Sequence, residues 1–127
     1  VPAIQVGDQI STSGQLPLIS GSLPMTGLVG DQISQEDAAG QARVAALNAL
    51  AAAADVAGGV NNIRRVIRVV VYVASAADFT AQPAVANGAS ELFGEIFGDA
   101  GRHIRSAIGV ASLPLGAPVK VELTVQV

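Results

Sequence analysis

The sequence contains no cysteine and no tryptophan, and it has only one histidine, one tyrosine and three phenylalanines. Without cysteine the chain forms no disulfide, no thiolate metal site and no cysteine nucleophile. The single histidine, His103, leaves little material for a histidine-based metal centre or a Ser-His-Asp triad. The position of His103 in the sequence indicates that it is the residue at which a strand begins. These absences exclude several common kinds of catalytic site.

Charge and long apolar runs are also scarce. Only 13% of the residues are charged, the net charge is −3 and the pI is near 4.8, which argues against a nucleic-acid-binding protein. The most apolar stretch, residues 66–77, contains Arg68 and falls short of the roughly 20 residues that a membrane-spanning helix needs. No signal-peptide pattern opens the chain, so a cytoplasmic location is expected.

What the sequence does contain is aliphatic: half of its 127 residues are hydrophobic. This length suits one domain, residues 1–127, with a single core. A small chain with so much apolar surface and so little charge is typical of subunits that cover part of that surface in an oligomer.

The local patterns predict an α+β fold with the order β-β-α-β-α-β-β and two helices on one sheet face. Gly7-Asp8 predicts a hairpin turn between the first two strands. Ser34, followed by acids, predicts a helix start, and Gly58-Gly59 its end near Ala57. The remaining elements are expected at about residues 63–75, 82–97, 104–111 and 119–127.

Periodicity predicts which side chains are buried. In the first helix the expected buried stripe is Val44, Leu47, Ala51 and Ala54. In the strand at 63–75, simple alternation groups Ile67 with Val69, Val71 and Val73 and leaves a second face that is also largely apolar. Such a strand is typical of the centre of a sheet, and we expect the face without helices to pack against other copies of the chain.

Arg105 is a candidate ligand-binding residue. Alternation places it on one strand face with Ala107, Gly109 and Ala111. Such small neighbours leave room beside the guanidinium for a carboxylate held through two parallel hydrogen bonds. An arginine that reaches solvent at a strand end, or one paired with a structural acid, fits the same pattern.

Two further segments are ambiguous. Glu122 lies on the polar face of the last strand, either as a solvated acid, as a carboxylate that positions water, or in an ion pair with Lys120. Ser13 and Gly14 end the second strand. Gly14 allows close approach of a ligand to backbone N–H groups, although an ordinary turn explains these residues equally well and is favoured by the pattern alone.

Together these segments resemble the RidA (YjgF) family. Residues 13–17, Ser-Gly-Gln-Leu-Pro, resemble the family's Ser-Gly-Gln-hydrophobic-Pro segment. Arg105-Ser106, followed by Leu113-Pro114, resembles its arginine signature, and residues 119–122 resemble its C-terminal strand. The resemblance covers essentially the whole chain, and it lies in the order and spacing of these motifs.

This resemblance implies a fold similar to trimeric chorismate mutase, in which three sheets form a central barrel with ligand clefts between subunits. It implies hydrolysis of enamines and imines of the 2-aminoacrylate and 2-iminopropanoate type to 2-oxo acids and ammonia, without metal or organic cofactor. The matching arginine, Arg105, would bind the substrate carboxylate, Ser13 and Gly14 would give backbone contacts, and Glu122 would position water. Ala107 would line the same cleft, where many deaminating members have cysteine.

Two other functions belong to the same resemblance. Ala107 and a longer loop between Leu113 and Val119 favour a non-catalytic or regulatory member that binds a small carboxylate. A ribonuclease or translation inhibitor is a third reading, which the acidic pI, the scarce aromatics and the single histidine disfavour.

Overall fold

The computed structural model describes all residues from 1 to 127. Its strands and helices follow the predicted order: β1 (Ala3–Val6), β2 (Gln9–Thr12), α1 (Gln35–Ala57), β3 (Arg65–Ala74), α2 (Gln82–Phe97), β4 (Ile104–Val110) and β5 (Val119–Gln126). Short 3-10 helices lie at Val60–Asn62, Gly98–Gly101 and Pro114–Gly116. The predicted α+β fold is therefore confirmed.

The five strands form one mixed sheet in the order β1-β2-β5-β3-β4. β3 and β4 are parallel, whereas the other neighbouring pairs are antiparallel. Because parallel neighbours require a crossover connection, α2 runs between β3 and β4 and lies beside the β4 edge. β5, the last strand of the chain, occupies the middle of the sheet.

The ends of α1 are confirmed, but its predicted buried stripe is wrong. The Ser34 hydroxyl accepts a hydrogen bond from the Asp37 N–H at 3.1 Å, and Gly58 closes the helix with φ of 83°. Leu47 is 45% exposed, whereas Ala42, Ala46 and Ala49 are fully buried. In a helix with alanine on nearly every face, a few larger residues do not identify the face that the sheet covers.

The alternation predicted for β3 is interrupted. A register shift against β5 lies between Val66 and Arg68, which is the geometry of a β-bulge. Val66, instead of Ile67, therefore shares the helix-covered face with Val69, Val71 and Val73, and all four of these valines are fully buried. One extra residue in the strand reverses the face of every residue before it.

The core lies between the helices and the sheet and is built mainly of alanine and valine. Phe93 is its largest fully buried side chain. The two helices approach so closely that a Cβ atom on Gly88 of α2 would collide with the carbonyl oxygen of Ala39 in α1. The small residues therefore determine how near the helices lie to one another.

The other face of the sheet is uncovered in one chain, and it is apolar only in part. Val70 of β3 lies on it, and its exposed apolar residues, Ile4 and Val6 of β1 with Ile104 and Ile108 of β4, are on the two edge strands. Between them β5 presents Lys120, Glu122, Thr124 and Gln126, because its alternation is strict. Neither long helix has the apolar length that crossing a membrane requires.

Candidate functional site

Arg105 lies on the helix-covered face of the sheet, at its edge. It pairs with Val69 of β3, and Val69 is buried beneath the helices. Asn87 and Ser90 of α2, three residues apart on one helix face, point toward it. The crossover helix and the edge strand together place these three polar side chains in contact.

The Arg105 guanidinium is held by neutral acceptors on one side only. Its Nη1 group donates to Asn87 Oδ1 at 2.8 Å and to Ser90 Oγ at 3.2 Å, which uses both Nη1 hydrogens. The hydrogens on Nε and Nη2 make no bond within the chain and form the edge that binds a carboxylate in a bidentate manner. The ion pairs of the chain are Arg43–Glu95 and Arg102–Asp99, so the structural-acid reading of Arg105 is wrong.

His103 opens β4 as expected, and it also contacts this group of side chains. Its Nε2 lies 2.9 Å from Ser90 Oγ, and its Nδ1 lies 2.6 Å from the Gly101 carbonyl oxygen. The ring meets Phe93 edge to face, with centroids 5.9 Å apart. His103 is thus fixed on three sides.

A surface depression of about 530 Å³ borders Arg105. It is lined by Ser90, Gly94, Gly98, Gly101, Arg102, His103 and Arg105. The sequence predicts this room beside Ala107 and Gly109, but neither residue lines the depression that Arg105 borders. Ala107 packs against the core, and Gly109 lines a separate depression with Gln82. The room beside Arg105 lies toward the 3-10 helix at Gly98–Gly101.

Glu122 lies on the uncovered face, half-buried in the middle of the sheet, where it pairs with Val70. It forms no ion pair with Lys120, which excludes that reading. Its neighbour is the Tyr72 side chain. Burial raises the pKa of the Tyr72 hydroxyl, and the charge and hydrogen bond of Glu122 raise that pKa further. Glu122 has no basic partner among the ion pairs of the chain.

Ser13 and Gly14 lie beside β5, not beside Arg105. Gln15 forms an isolated antiparallel bridge with Val121, and the Ser13 N–H donates to the Pro2 carbonyl at 2.8 Å. The aliphatic chain of Lys120 fills the space that a side chain on Gly14 would occupy. The missing side chain of Gly14 thus accommodates Lys120 in this chain, while the Gly14 N–H makes no hydrogen bond of its own.

The predicted catalytic residues do not meet within one chain. Arg105 shares its face with Val69, and Glu122 shares the opposite face with Val70, the next residue of β3. Their strands flank β3 on either side, which puts them about 10 Å apart across the sheet. Within one chain, the sheet itself therefore separates the two side chains.

The sequence interpretation missed Asn87 and Ser90. The available signal is a pair of polar residues at i and i+3 on a helix that is otherwise apolar or small on that side. Reading that signal requires the knowledge that β4 is parallel to β3 and lies at the sheet edge beside α2.

Known proteins resemble this chain over all or nearly all of its length. Protein TCP17 of Trypanosoma cruzi is 40% identical over 121 residues, which cover 94% of this chain and 76% of that protein. The crystal structure of Atu1372 from Agrobacterium tumefaciens, a protein of unknown function, has a TM-score of 0.97 and 41% identity, covering 100% of this chain and 82% of that one. The YjgF gene product of E. coli has a TM-score of 0.70 and 26% identity, covering 99% and 86%.

The backbone is therefore closer to Atu1372 than to the E. coli protein, although all three share one fold. The family model described as "YjgF/chorismate mutase-like, putative endoribonuclease" matches residues 1–127. With its motifs, its sheet order and its relatives in agreement, the chain belongs to the YjgF/chorismate mutase-like family.

Proposed function

We propose that this protein hydrolyses reactive imines and enamines that carry a carboxylate, releasing a 2-oxo acid and ammonia. The observation that carries the proposal is Arg105, whose Nη1 group is bound to Asn87 and Ser90 while its Nε–Nη2 edge stays open beside a depression. A guanidinium held in this way is prepared for a planar carboxylate, because its orientation is fixed before the ligand arrives.

The reaction requires only water and proton transfer. An enamine first becomes the imine as a proton moves from nitrogen to carbon. Water then adds to the C=N carbon, with Glu122 accepting a proton from the attacking water. The C–N bond of the resulting carbinolamine breaks, its nitrogen takes up a proton, and ammonia leaves while the C=O of the 2-oxo acid forms. No step requires a metal or an organic cofactor.

The separation of Arg105 from Glu122 by the sheet supports a cleft between subunits of a homotrimer, with Arg105 from one copy and Glu122 from a neighbour. The exposed isoleucines of β4 and the aliphatic residues of β1 at the sheet edges are the surfaces that assembly would cover. Ser13 and Gly14 lie on the Glu122 side, so the unbonded Gly14 N–H would reach the substrate from that neighbour. We place Ala107 in the same cleft beneath Arg105.

A second candidate is a binding member of the family without turnover. The side chain of Lys120 favours this function, because it fills the space beside Gly14 that a substrate would otherwise approach. In that case the same Arg105 edge would hold a small carboxylate ligand. Binding of a 2-oxo acid without imine hydrolysis would identify this function. Cytoplasmic location accompanies either proposal, since both ligands are metabolites of amino-acid turnover.

The test generates 2-imino acids with an amino-acid oxidase in the presence of semicarbazide, which traps any imine that is not hydrolysed. We expect the protein to divert imine from the trap. Arg105→Ala should lower kcat/KM at least about 100-fold, because two hydrogen bonds to a charged ligand are lost. Arg105→Lys should be nearly as poor, since an ammonium cannot form the two parallel bonds.

Arg64→Ala is the matched control, because it removes an exposed arginine that makes no side-chain hydrogen bond. It should behave as the unmodified protein. Full activity in Arg105→Ala would refute the assigned role of Arg105. A correctly folded protein that diverts no imine but binds pyruvate would select the binding function.

A further inference from the structure

The Ser90 hydroxyl occupies an unusual position for a serine within a helix. Such a serine commonly bonds back to the carbonyl four residues earlier. Here the hydroxyl points away from α2 and lies 2.9 Å from His103 Nε2 and 3.2 Å from Arg105 Nη1. It therefore connects the only histidine of the chain to the arginine that borders the depression.

The hydrogens in this group can be placed by elimination. The Gly101 carbonyl only accepts, so His103 Nδ1 carries a hydrogen. The Arg105 guanidinium only donates, so Ser90 Oγ accepts from it. When the imidazole is neutral, Nε2 carries no hydrogen, and the single hydroxyl proton of Ser90 is directed to it. Every hydrogen is used once, and no donor faces another donor.

We propose that Ser90 and His103 are positioning residues for Arg105. His103 takes the Ser90 proton and so turns the Ser90 lone pairs toward Nη1, which leaves the Nε–Nη2 edge of Arg105 open for a carboxylate. The inference deepens the proposed function and rests on the role of Arg105 in it. Asn87 holds the same nitrogen, but only Ser90 depends on a second side chain for its orientation.

The surroundings keep His103 in the orientation that this arrangement needs. Gly101 is buried, and a Cβ atom there would collide with the Phe93 carbonyl oxygen, so the accepting carbonyl has a fixed place. The edge of the imidazole against Phe93 limits rotation of the ring. Two elements, the 3-10 helix at Gly98–Gly101 and α2, thereby determine where Arg105 points.

The first test needs no activity. Because His103 is the only histidine, its ring nitrogens give the only imidazole signals in a ¹⁵N NMR spectrum. At a pH where the ring is neutral, we expect the tautomer with hydrogen on Nδ1, and we expect Ser90→Ala to shift the Nε2 resonance. A dominant tautomer with hydrogen on Nε2 would overturn the proposal.

The second test measures kinetics and ligand binding together. We expect Ser90→Ala and His103→Phe each to raise KM for the imine about tenfold while kcat stays within about twofold. Both substitutions weaken binding of the substrate carboxylate by Arg105, and neither changes the group that positions the attacking water. His103→Phe keeps the contact with Phe93 and removes the acceptor. His103→Gln restores an acceptor near the Nε2 position and should recover most of the loss. Ser22→Ala, at an exposed serine in the loop before α1, is the matched control.

The dissociation constant of pyruvate, measured by calorimetry on the same proteins, separates the two possible failures. It should follow KM, with about tenfold weaker binding in Ser90→Ala. If the unmodified protein neither hydrolyses imine nor binds pyruvate, the proposed function fails, and the NMR result alone decides the proton arrangement. If it does both and Ser90→Ala and His103→Phe are unchanged, the positioning role is refuted while the function stands.

Discussion

The two faces of the sheet carry charge in different settings. On the helix-covered face Arg105 is held by the neutral oxygens of Asn87 and Ser90, and its positive charge has no acidic partner. On the uncovered face Glu122 lies beside the neutral Tyr72 hydroxyl, and its negative charge has no basic partner. In the proposed cleft between two chains, these two unpaired charges of opposite sign would both be available to the ligand.

The faces also differ in how they are built. The helix-covered face depends on close packing of small side chains, because α1 and α2 meet at Gly88 and Ala39. The uncovered face depends on a row of polar residues supplied by β5. Substitutions that change side-chain volume should therefore disturb the helix-covered face. Substitutions that change charge or hydrogen bonding should disturb the uncovered face.

The largest expected effect tests whether the two faces cooperate across copies. Arg105→Ala and Glu122→Gln are each expected to be nearly inactive. When the two proteins are unfolded and refolded together, some clefts combine an intact Arg105 with an intact Glu122 from a neighbour. In a random mixture of equal parts, about a quarter of the clefts should be intact, and imine hydrolysis should return to about that fraction.

A mixture of Arg105→Ala with Arg105→Lys is the matched control, and it should regain nothing. The presence of mixed assemblies is checked by tagging one variant and recovering the other with it. If mixed assemblies form and activity does not return, Arg105 and Glu122 do not serve one cleft from two chains.

The next effect concerns the packing of the helix-covered face. Gly88→Ala should lower the free energy of unfolding by about 3 kcal/mol, because its Cβ meets backbone that has no flexible end to move. Gly40→Ala, in α1 with open space around it, should raise that free energy by about 0.5–1 kcal/mol through the helix preference of alanine. Urea midpoints with unchanged slopes measure both. Equal effects of the two substitutions would contradict the close approach of the helices.

The smallest effect concerns the uncovered face. Tyr72 is the only tyrosine, so the absorbance of its phenolate reports its pKa directly. We expect that pKa to lie above the usual value and to fall in Glu122→Gln, but not back to the usual value, because burial is the larger cause. Because the folded protein favours the protonated Tyr72 hydroxyl, the raised pKa contributes to the free energy of unfolding at neutral pH. This contribution declines as the pH rises past the ordinary tyrosine pKa. An unchanged Tyr72 pKa in Glu122→Gln would show that Glu122 does not interact with the Tyr72 hydroxyl.

Local signals predicted the elements well because each signal acts within a few residues. The cap at Ser34, the left-handed Gly58 and the strict alternation of β5 all appear in the structure as expected. The prediction of buried faces was wrong in two places. In β3 a single inserted residue, at the bulge before Arg68, changes the alternation. In α1 the many alanines give no difference in hydrophobicity between faces, so Leu47 was wrongly expected to be buried.

The site was predictable only in part. Arg105 stands out because a charged residue interrupts a row of small ones, and the structure places it at the border of a depression. Its partners Asn87 and Ser90 come from a helix that precedes it by one crossover, so their contact depends on the order of strands in the sheet. The place of Glu122 on the opposite face follows from the pairing of β3 with both β4 and β5, which no local pattern reveals.

The central position of β5 has a consequence for how the chain folds during synthesis. β2 can complete its pairing only with β5, which is made more than a hundred residues later, since Ile10 lies opposite Val125. Until then both β2 and β3 present unpaired edges, and contacts so distant in sequence form slowly. We therefore expect the nascent chain to stay open, and dependent on protection from aggregation, until its last strand leaves the ribosome.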